Sequence, residues 1–271
     1  MKKHDIKMIV LDIDGTIMDS NFQISERVKN TINLCQSKGI KVVLATGRMH
    51  AAAVPIAQKI GLTGPIISYQ GSVIREYTPK DKTLREQKID FPTALEVIKE
   101  LRKFDGQINF FTENQLYVEN VTDLLIEYTE KRNINFETVS NFEELSELSP
   151  IKLLCIHKNS EKLTMIKEQL RAKFSQDLNI FKSTEYFCEI VDKYASKGNA
   201  INYLAELWNI KNSQILSIGD HENDIEMLKT SGVSVAMGNA IEAVKAVTTY
   251  ITETVNNDGA AIAMEKIVIG L

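Results

Sequence analysis

The segment Asp12-Ile13-Asp14-Gly15-Thr16 directly follows a short apolar run, residues 8–11. A wholly apolar run of this length is typical of a β-strand that is covered on both faces. Ligands of open parallel sheets bind beyond the carboxyl ends of the strands, so Asp12 and Asp14 stand where a site is expected. Side chains two residues apart on an extended chain point the same way. The five-residue pattern arises by chance in only roughly 10⁻³ to 10⁻² of chains this long. It therefore favours a functional pair of acids over a solvated Asp-Gly turn.

The chain around this segment alternates strand-like and helical patterns. Three apolar runs predict strands, at residues 8–11, 41–45 and 66–69. The first helical pattern between them begins near the N-cap Ser25 and ends at Gly39, and the second ends at Gly61. From Lys197 the alternation resumes, with strands predicted at 214–218 and 233–236 and a last helix through Met264. This order predicts an α/β fold with a Rossmann-like, doubly wound parallel sheet.

The pattern changes in the middle of the chain, where strand-like pieces come close together. They are residues 85–90, 108–112, 115–119, 151–157 and 187–191. Helical patterns begin near Pro92 and extend over residues 161–174. The chain thus leaves the first domain and returns to it. We predict a catalytic core from residues 1–82 and 190–271, with an inserted α+β cap domain at residues 83–189.

The composition is typical of a soluble globular protein and bears on which partners are expected. The 271 residues carry 32 basic and 36 acidic side chains, which gives a net charge of −4. Such mild acidity gives no reason to expect nucleic acid or a membrane surface as a partner. No apolar run reaches the roughly 18 residues of a spanning helix, and no secretory signal is expected from the first residues. Cys35, Cys155 and Cys188 are widely spaced, which suggests free thiols and a cytoplasmic location.

Two further segments suit an anion. Thr46-Gly47-Arg48 follows the strand at 41–45, and a hydroxyl beside the N–H groups of a glycine turn forms a small anion cradle. Ending a strand with Thr-Gly is common, so this segment alone is weak. Lys197 precedes a helix, where it is either a solvated charge or a phosphate-binding lysine that offsets the repulsion among carboxylates and substrate. We expect His50, which follows Arg48 closely, on the surface of the next helix.

A third strand end is acidic. Gly219-Asp220-His221-Glu222-Asn223-Asp224 follows the strand at 214–218. Mg²⁺ binds through one or two carboxylates together with substrate phosphate oxygens, and Asp220 is positioned to be such a ligand. Asp220 as a simple helix N-cap explains one acid. It does not explain the coincidence with two other polar strand ends.

These four segments, in this order, closely resemble the four motifs of the haloacid-dehalogenase superfamily. The later run Val235-Ala236-Met237-Gly238-Asn239-Ala240 and the large type II cap between the second and third motifs resemble its Cof-type sugar-phosphatase branch. The resemblance covers essentially the whole chain. One departure is Gln70-Gly71, where relatives often carry Asn-Gly.

The resemblance implies a role for each matching residue. It implies Asp12 as the nucleophile and Asp14 as the general acid and base. It implies phosphate binding by a further group of residues: Ile13 and Gly47 through their backbone N–H groups, Thr46, Lys197 and Asn223. For Mg²⁺ it implies the Asp12 carboxylate, the Asp14 backbone carbonyl and Asp220 as ligands, with Asp224 supporting them.

The expected function is that of a magnesium-dependent phosphatase acting on a small phosphate ester, most often a sugar phosphate, through an aspartyl-phosphate. The inserted cap is expected to close as a lid and to select the leaving group. A phosphomutase with the same nucleophile stays open as an alternative, as does a non-catalytic sugar-phosphate-binding regulator. A receiver-like module lacks an acid two residues after its phosphorylated aspartate and has no inserted lid. The oligomeric state stays open.

Overall fold

The computed structural model describes residues 1–76 and 82–271. In this part of the chain the strands are, in order, β1 (Met8–Leu11), β2 (Lys41–Ala45), β3 (Ile66–Ser68), β4 (Val73–Arg75), β5 (Thr83–Glu86), β6 (Gln107–Phe111), β7 (Leu116–Val118), β8 (Phe136–Thr138), β9 (Lys152–Ile156), β10 (Leu178–Thr184), β11 (Phe187–Asp192), β12 (Ile215–Gly219), β13 (Val233–Ala236) and β14 (Tyr250–Ile251). The helices are α1 (Glu26–Ser37), α2 (His50–Lys59), α3 (Phe91–Leu101), α4 (Asp123–Glu130), α5 (Ser160–Phe174), α6 (Lys197–Leu207), α7 (Ile225–Thr230), α8 (Glu242–Lys245) and α9 (Gly259–Met264).

The first sheet has the strand order β14-β13-β12-β1-β2-β3-β4-β5. The strands from β14 to β3 are parallel, which confirms the predicted doubly wound sheet, and β4 and β5 add an antiparallel edge. Every residue of β1 is buried, so both faces of the sheet are covered at its centre. Each fully buried aliphatic side chain there contributes about 1.5–3 kcal/mol to stability.

The register of three central strands brings the polar strand ends together. Leu11 of β1 lies opposite Ile218 of β12 on one side and Leu44 of β2 on the other. The residues that follow these three positions therefore emerge side by side at the carboxyl edge of the sheet. This edge is where the sequence predicts the site.

The second sheet has the order β10-β11-β9-β6-β7-β8 and is antiparallel except for the β7–β8 pair. Helices α3 and α5 cover one face through an apolar cluster that includes Val97, Leu101, Ile166 and Leu170. Helix α3 begins as predicted, because the Asp90 side chain accepts a hydrogen bond from the Thr93 backbone and proline follows the first residue. The inserted segment therefore has the predicted α+β character.

The predicted limits of the insertion, 83 and 189, stay a prediction that the two sheets allow us to refine. Strand β5, at residues 83–86, pairs with β4 in the first sheet, and β11 continues the second sheet to Asp192. We therefore propose crossings near residues 87–90 and 193–196. The second crossing is tightly packed: Gly71 has a φ of 101°, and a Cβ there would lie 2.2 Å from the Ser196 carbonyl oxygen. Residues 77–81 of the predicted core lie outside the described residues.

An apolar cluster joins the two sheets. It combines Met49 and Tyr69 from the first domain with Phe111, Leu116 and Leu125 from the insertion. This contact explains why the predicted surface position of His50 is wrong. The side chain is only 6% exposed, because the start of α2 lies beneath the insertion. The sequence of α2 alone gives no sign of this cover.

Two predictions about the chain as a whole can be compared with the structure. Cys35, Cys155 and Cys188 are free, as their spacing suggests, and all three are buried. Among the described helices, none combines the length and the apolar character that crossing a membrane requires.

Candidate active site

Asp12 lies at the end of β1 in contact with a buried lysine. The Lys197 ammonium donates hydrogen bonds to Asp12 Oδ1 at 2.5 Å and to Asp224 Oδ1 at 2.7 Å. Lys197 is the first residue of α6, whose N-cap Ser196 accepts a hydrogen bond from the Asn199 backbone. All three charged side chains are nearly or fully buried. One cation thus serves two buried carboxylates, which leaves an excess of negative charge.

This arrangement changes the protonation of both partners. Burial, followed by repulsion from Asp224, raises the pKa of Asp12 to about 7. Burial alone would lower the pKa of Lys197, but the charges of Asp12 and Asp224 outweigh it and raise that pKa. Lys197 therefore remains an ammonium, and Asp12 needs further positive charge to be fully ionised at neutral pH.

Asp14 faces the opening of the same cavity and is held by Arg48. The guanidinium donates from Nε to Oδ2 at 2.9 Å and from Nη2 to Oδ1 at 2.7 Å. Burial raises the pKa of Asp14, but the hydrogen bonds and charge of Arg48 outweigh it, so the net shift is downward. The Asp14 side chain keeps half of its surface exposed, whereas Arg48 is 7% exposed. Asp14 is therefore an ionised carboxylate at the mouth of the cavity.

The groups of the predicted anion cradle lie at the end of β2. The Thr46 hydroxyl accepts a hydrogen bond from the Arg48 backbone at 3.1 Å, so its own proton can point to a ligand. The Gln70 side chain accepts a hydrogen bond from the Asn223 amide at 3.0 Å. Gln70 adopts a positive φ of 61°. The Gln70 side chain therefore links the segment after β3 to the acidic segment 219–224, where it can orient the Asn223 amide.

Asp220 completes an acidic cluster with Asp12 and Asp224. Carboxylate oxygens of the three residues lie within 4.8 Å of one another. Burial, followed by repulsion from Asp12, raises the pKa of Asp220 to about 9. Lys197 donates to two of these three carboxylates, and such a cluster of oxygen ligands is suited to a hard divalent cation. The residues present therefore fit Mg²⁺.

Neighbouring groups fix the position of Asp220. The Thr16 hydroxyl donates to Oδ1 at 3.3 Å, and the Asn239 amide reaches Oδ2 at 3.4 Å. Asn239 also donates to the Gly15 carbonyl at 2.9 Å. Gly15 has a φ of 81°, and a Cβ there would lie 2.4 Å from Asp220 Oδ2. Only glycine lets this carboxylate approach the turn after Asp14.

Asp224 has a different set of contacts. Its Oδ2 accepts hydrogen bonds from the backbone N–H groups of Asp220 at 2.9 Å and His221 at 3.1 Å, and its Oδ1 accepts from Lys197. Both oxygens therefore already serve protein donors. This pattern agrees with a residue that orients the Asp220 loop.

The structure brings most of the predicted site residues to one cavity of about 120 Å³. Its lining includes the following predicted residues: Asp12, Asp14, Thr46, Gly47, Asp220 and Asn223. Lys197 and Asp224 lie directly behind Asp12, out of contact with solvent. The Ile13 side chain is part of the apolar core, so only its backbone is a candidate for ligand binding.

The insertion closes the cavity from the other side. Lys152 donates to the Gly47 carbonyl at 2.9 Å and pairs with Glu189 at 2.8 Å. Glu189 also accepts hydrogen bonds from Ser183 at 2.7 Å and Gln70 at 3.3 Å. Lys152 and Glu189 are almost fully buried. The two domains thus meet through a charged network at the Gly47 end of the cavity.

Comparison with known proteins identifies the family. Residues 9–264 match the family described as haloacid dehalogenase-like hydrolase. The chain belongs to this family. Phosphatase YwpJ of Bacillus subtilis (strain 168) is 30% identical, over 97% of this chain and 100% of that protein. The chain is thus a phosphatase of the haloacid dehalogenase-like hydrolases.

Two further proteins support the same relationship. The 5-amino-6-(5-phospho-D-ribitylamino)uracil phosphatase YitU of Bacillus subtilis (strain 168) is 26% identical, over 94% of each protein. A solved haloacid dehalogenase-like hydrolase from B. subtilis has a TM-score of 0.88 at 28% identity, over 97% of this chain and 100% of that one. The fold of this haloacid dehalogenase-like hydrolase therefore extends over the cap as well as the core.

The roles of several residues of this haloacid dehalogenase-like hydrolase were not predicted from the sequence. The pairing of Arg48 with Asp14 and the contacts of Asn239 depend on distant segments, although both residues stand inside recognised motifs. Lys152 and Glu189 carried a usable signal. Each is a charged residue beside apolar residues of its strand, and charged residues are buried almost only when they are paired.

Proposed function

We propose that this protein is a magnesium-dependent phosphomonoester hydrolase that forms an aspartyl-phosphate on Asp12. Its substrates are small phosphorylated metabolites, with sugar phosphates the leading class. The observation that carries the proposal is the position of Asp12, which lies in a small cavity against the Lys197 ammonium and close to Asp14. The two carboxylates differ in environment, because one is buried and the other is paired with arginine. Different environments suit a nucleophile and an acid–base group.

The reaction divides into two transfers. An Asp12 carboxylate oxygen attacks phosphorus, the bond between phosphorus and the ester oxygen breaks, and the leaving oxygen takes a proton from Asp14. A water molecule then attacks the aspartyl-phosphate and gives its proton to the Asp14 carboxylate. Phosphate leaves and free Asp12 is restored. The first step needs protonated Asp14 and the second needs ionised Asp14.

The phosphoryl oxygens are held by groups that surround the cavity. We assign this role to the Thr46 hydroxyl, the Lys197 ammonium and the Asn223 amide, together with the backbone N–H groups of Ile13 and Gly47. A preorganised ammonium and aligned N–H groups stabilise charge on the transferring group without reorganisation. Lys152 supports this region from the cap through the Gly47 carbonyl.

The metal site of the proposal consists of the Asp12 carboxylate, the Asp14 backbone carbonyl and Asp220, with Asp224 orienting the loop. The fit rests on the acidic cluster and on the raised pKa values of Asp12 and Asp220, both caused first by burial. When bound, Mg²⁺ would supply positive charge that ionises Asp12 and balances the phosphoryl oxygens.

The substrate class follows from the cap and the relatives. Cap side chains line the mouth of the cavity, so the leaving group must lie between cap and core. The name of the relative YitU specifies a phosphate ester of a ribityl chain, which is a sugar-like alcohol. The free cysteines agree with the cytoplasmic location that their spacing predicts.

A phosphate-release screen tests this function. Wild-type protein with Mg²⁺ is incubated with a panel of phosphate esters, and Asp12→Asn serves as the blank. We expect no turnover by Asp12→Asn while its circular dichroism spectrum stays native. Asp105→Asn is the matched control, because Asp105 is an exposed cap aspartate paired with His157. Wild-type rates in Asp12→Asn would overturn the assignment.

The same screen separates hydrolysis from phosphoryl transfer within a sugar. With a hexose monophosphate as substrate, free phosphate is the expected product. An isomerised hexose phosphate without free phosphate would instead indicate a phosphomutase.

A further inference from the structure

A second cleft opens next to the catalytic cavity, between the cap and the first domain. Its volume is about 610 Å³, within the range of about 300–1,000 Å³ that small-molecule sites occupy. The cap contributes the end of α4, the residues after it and the start of β11, and the first domain contributes Ser20 and Phe22. Tyr128, Arg132 and Phe187 line both spaces. A phosphate ester bound at Asp12 would therefore extend its leaving group into this cleft.

The charges that line the cleft are unbalanced. Lys131, Arg132 and Lys158 carry positive charge, and Glu127 is the acidic residue among the lining side chains. Glu127 is already paired with Lys131 at 2.7 Å. Within residues 1–76 and 82–271, no carboxylate lies within 4 Å of the charged groups of Arg132 or Lys158. The cleft thus presents an excess of positive charge to its contents.

Arg132 is held in place by aromatic rings. Its guanidinium lies 4.5 Å from the centre of the Tyr128 ring and 5.3 Å from that of Phe187. The two rings are themselves packed edge to face at 5.5 Å. Stacking of this kind fixes the plane of a guanidinium. Arg132 Nη1 also donates to the Tyr128 carbonyl oxygen at 3.4 Å, which leaves the other N–H groups available for an anion. A half-buried cation without a carboxylate partner is stabilised when an anion supplies the missing hydrogen bonds.

The transferred phosphoryl group has other partners. Lys197, Thr46 and Asn223 surround the Asp12 end of the cavity, whereas Arg132 lies on the cap at the boundary with the second cleft. The charge of Arg132 also lowers the pKa of Asp14, so the arginine lies near the ester oxygen and the part of the substrate beyond it.

We infer that the second cleft binds the leaving group and selects phosphate esters whose leaving group carries its own negative charge, a carboxylate or a second phosphate. Arg132 is the residue that reads this charge. The inference rests on the proposed phosphatase function. It narrows the substrate class from sugar phosphates in general to phosphate esters whose leaving group is itself negatively charged.

Matched pairs of esters test the inference. The first pair is glucose 6-phosphate with 6-phosphogluconate, and the second is glucose 1-phosphate with glucose 1,6-bisphosphate. The reference is p-nitrophenyl phosphate, whose leaving group carries no anionic substituent. For wild type we expect kcat/KM at least about 10-fold higher for the anionic member of one pair or both, which is the effect of one charge-assisted bidentate contact. Arg132→Met should reduce this preference to within about 3-fold. Arg132→Lys should keep part of it, because the charge remains.

Controls separate this inference from the function beneath it. Arg132→Met should lower kcat/KM more for the anionic esters than for p-nitrophenyl phosphate. Arg102→Met, which removes a cap arginine paired with Glu119 and Glu143, should leave the preference unchanged. Turnover of p-nitrophenyl phosphate without any preference for anionic esters in wild type would overturn the inference and leave the function standing. An equal loss on all esters in Arg132→Met would also overturn it, since Arg132 would then bind the transferred phosphoryl group. Absence of turnover on every ester would overturn both.

Discussion

Arg48 donates two hydrogen bonds to Asp14, one to each carboxylate oxygen. The guanidinium is buried against the Phe22 ring, 5.7 Å from its centre, while the carboxylate opens to the cavity. The pair therefore anchors the proposed acid–base group and keeps it ionised. That state suits the second half of the reaction, in which Asp14 takes a proton from water. For the first half, Asp14 must be protonated by a substrate or solvent proton.

Replacement of Arg48 should alter the pH dependence of turnover. In Arg48→Met the hydrogen bonds and the charge that lower the pKa of Asp14 most are lost, so that pKa should rise, although Arg132 and Lys197 still lower it. The acidic limb of the profile of kcat against pH should move to higher pH. Turnover near neutral pH should fall about 10-fold or more, as for other losses of acid–base function. Arg27→Met, which removes an exposed arginine paired with Glu265, is the control. An unmoved acidic limb would contradict the role of the pair.

Mg²⁺ should stabilise the fold more at high pH than at low pH. The pKa values of Asp12 and Asp220 are raised, by burial first, from 3.8 to about 7 and about 9. Between 3.8 and these values the folded metal-free protein binds more protons than the unfolded chain, so its stability falls as pH rises. Mg²⁺ bound to the ionised cluster offsets this loss.

The measurement is the Tm with Mg²⁺ and with a chelator, at about pH 6 and about pH 8.5. The increase caused by Mg²⁺ should be larger at the higher pH by at least about 2 °C. Asp220→Asn should reduce both the increase and its pH dependence. Equal increases at the two pH values would argue against metal binding by these carboxylates.

The buried pair of Lys152 and Glu189 should show strong coupling. Lys152→Met leaves Glu189 buried without its cation, and the loss of one partner of a buried pair costs about 3–5 kcal/mol in the free energy of unfolding. The double variant Lys152→Met with Glu189→Gln should be more stable than the sum of the single changes predicts, by about 1–3 kcal/mol.

Urea unfolding of the four proteins of this cycle gives the coupling free energy. The control is the exposed pair of Lys99 and Glu96, whose side chains are 51% and 59% exposed. Its coupling should stay below about 0.5 kcal/mol. Additive effects at Lys152 and Glu189 would show that the cap does not depend on this contact.

Asn239 should influence the metal requirement without touching substrate. Its amide joins the Gly15 carbonyl to Asp220, and such supporting hydrogen bonds typically change metal affinity about 10–100-fold. In Asn239→Ala the Mg²⁺ concentration for half-maximal activity should rise by this factor, while kcat at saturating Mg²⁺ changes little. Asn202→Ala, at an exposed asparagine of α6, is the control. A reduced kcat with an unchanged Mg²⁺ requirement would sink this role.

Local signals were sufficient for the core of the fold and for the positions of its chemistry. Apolar runs identified β1, β2 and β12, and parallel pairing then required the residues after them to meet. Asp12, Thr46 and Asp220 could thus be assigned to one site from their places in the sequence. The N-caps Ser25 and Ser196 also act through near neighbours, so their helices could be predicted.

Features that depend on contact between the domains could not be predicted in this way. The burial of His50 arises because the cap covers the start of α2, and no pattern within α2 reports a cover that comes from elsewhere. Strand β5 looks like a cap strand because it follows a change of pattern, yet it pairs back onto β4. The direction in which Arg48 points depends on Asp14, a partner 34 residues earlier.

The tight contact between Gly71 and the Ser196 carbonyl limits how the inserted domain of this protein could be replaced by that of a relative. Ser196 directly precedes Lys197. The segment that leaves the insertion therefore also positions the lysine that donates a hydrogen bond to Asp12. An insertion taken from a relative therefore cannot be exchanged without regard to the position of Lys197. A graft whose exit is one residue out of step at 193–196 would draw the lysine away from the nucleophile, even if every core residue were native. If the insertion selects the substrate, as we propose, new specificity should be easier to reach by changing side chains within the existing insertion than by exchanging the insertion as a whole.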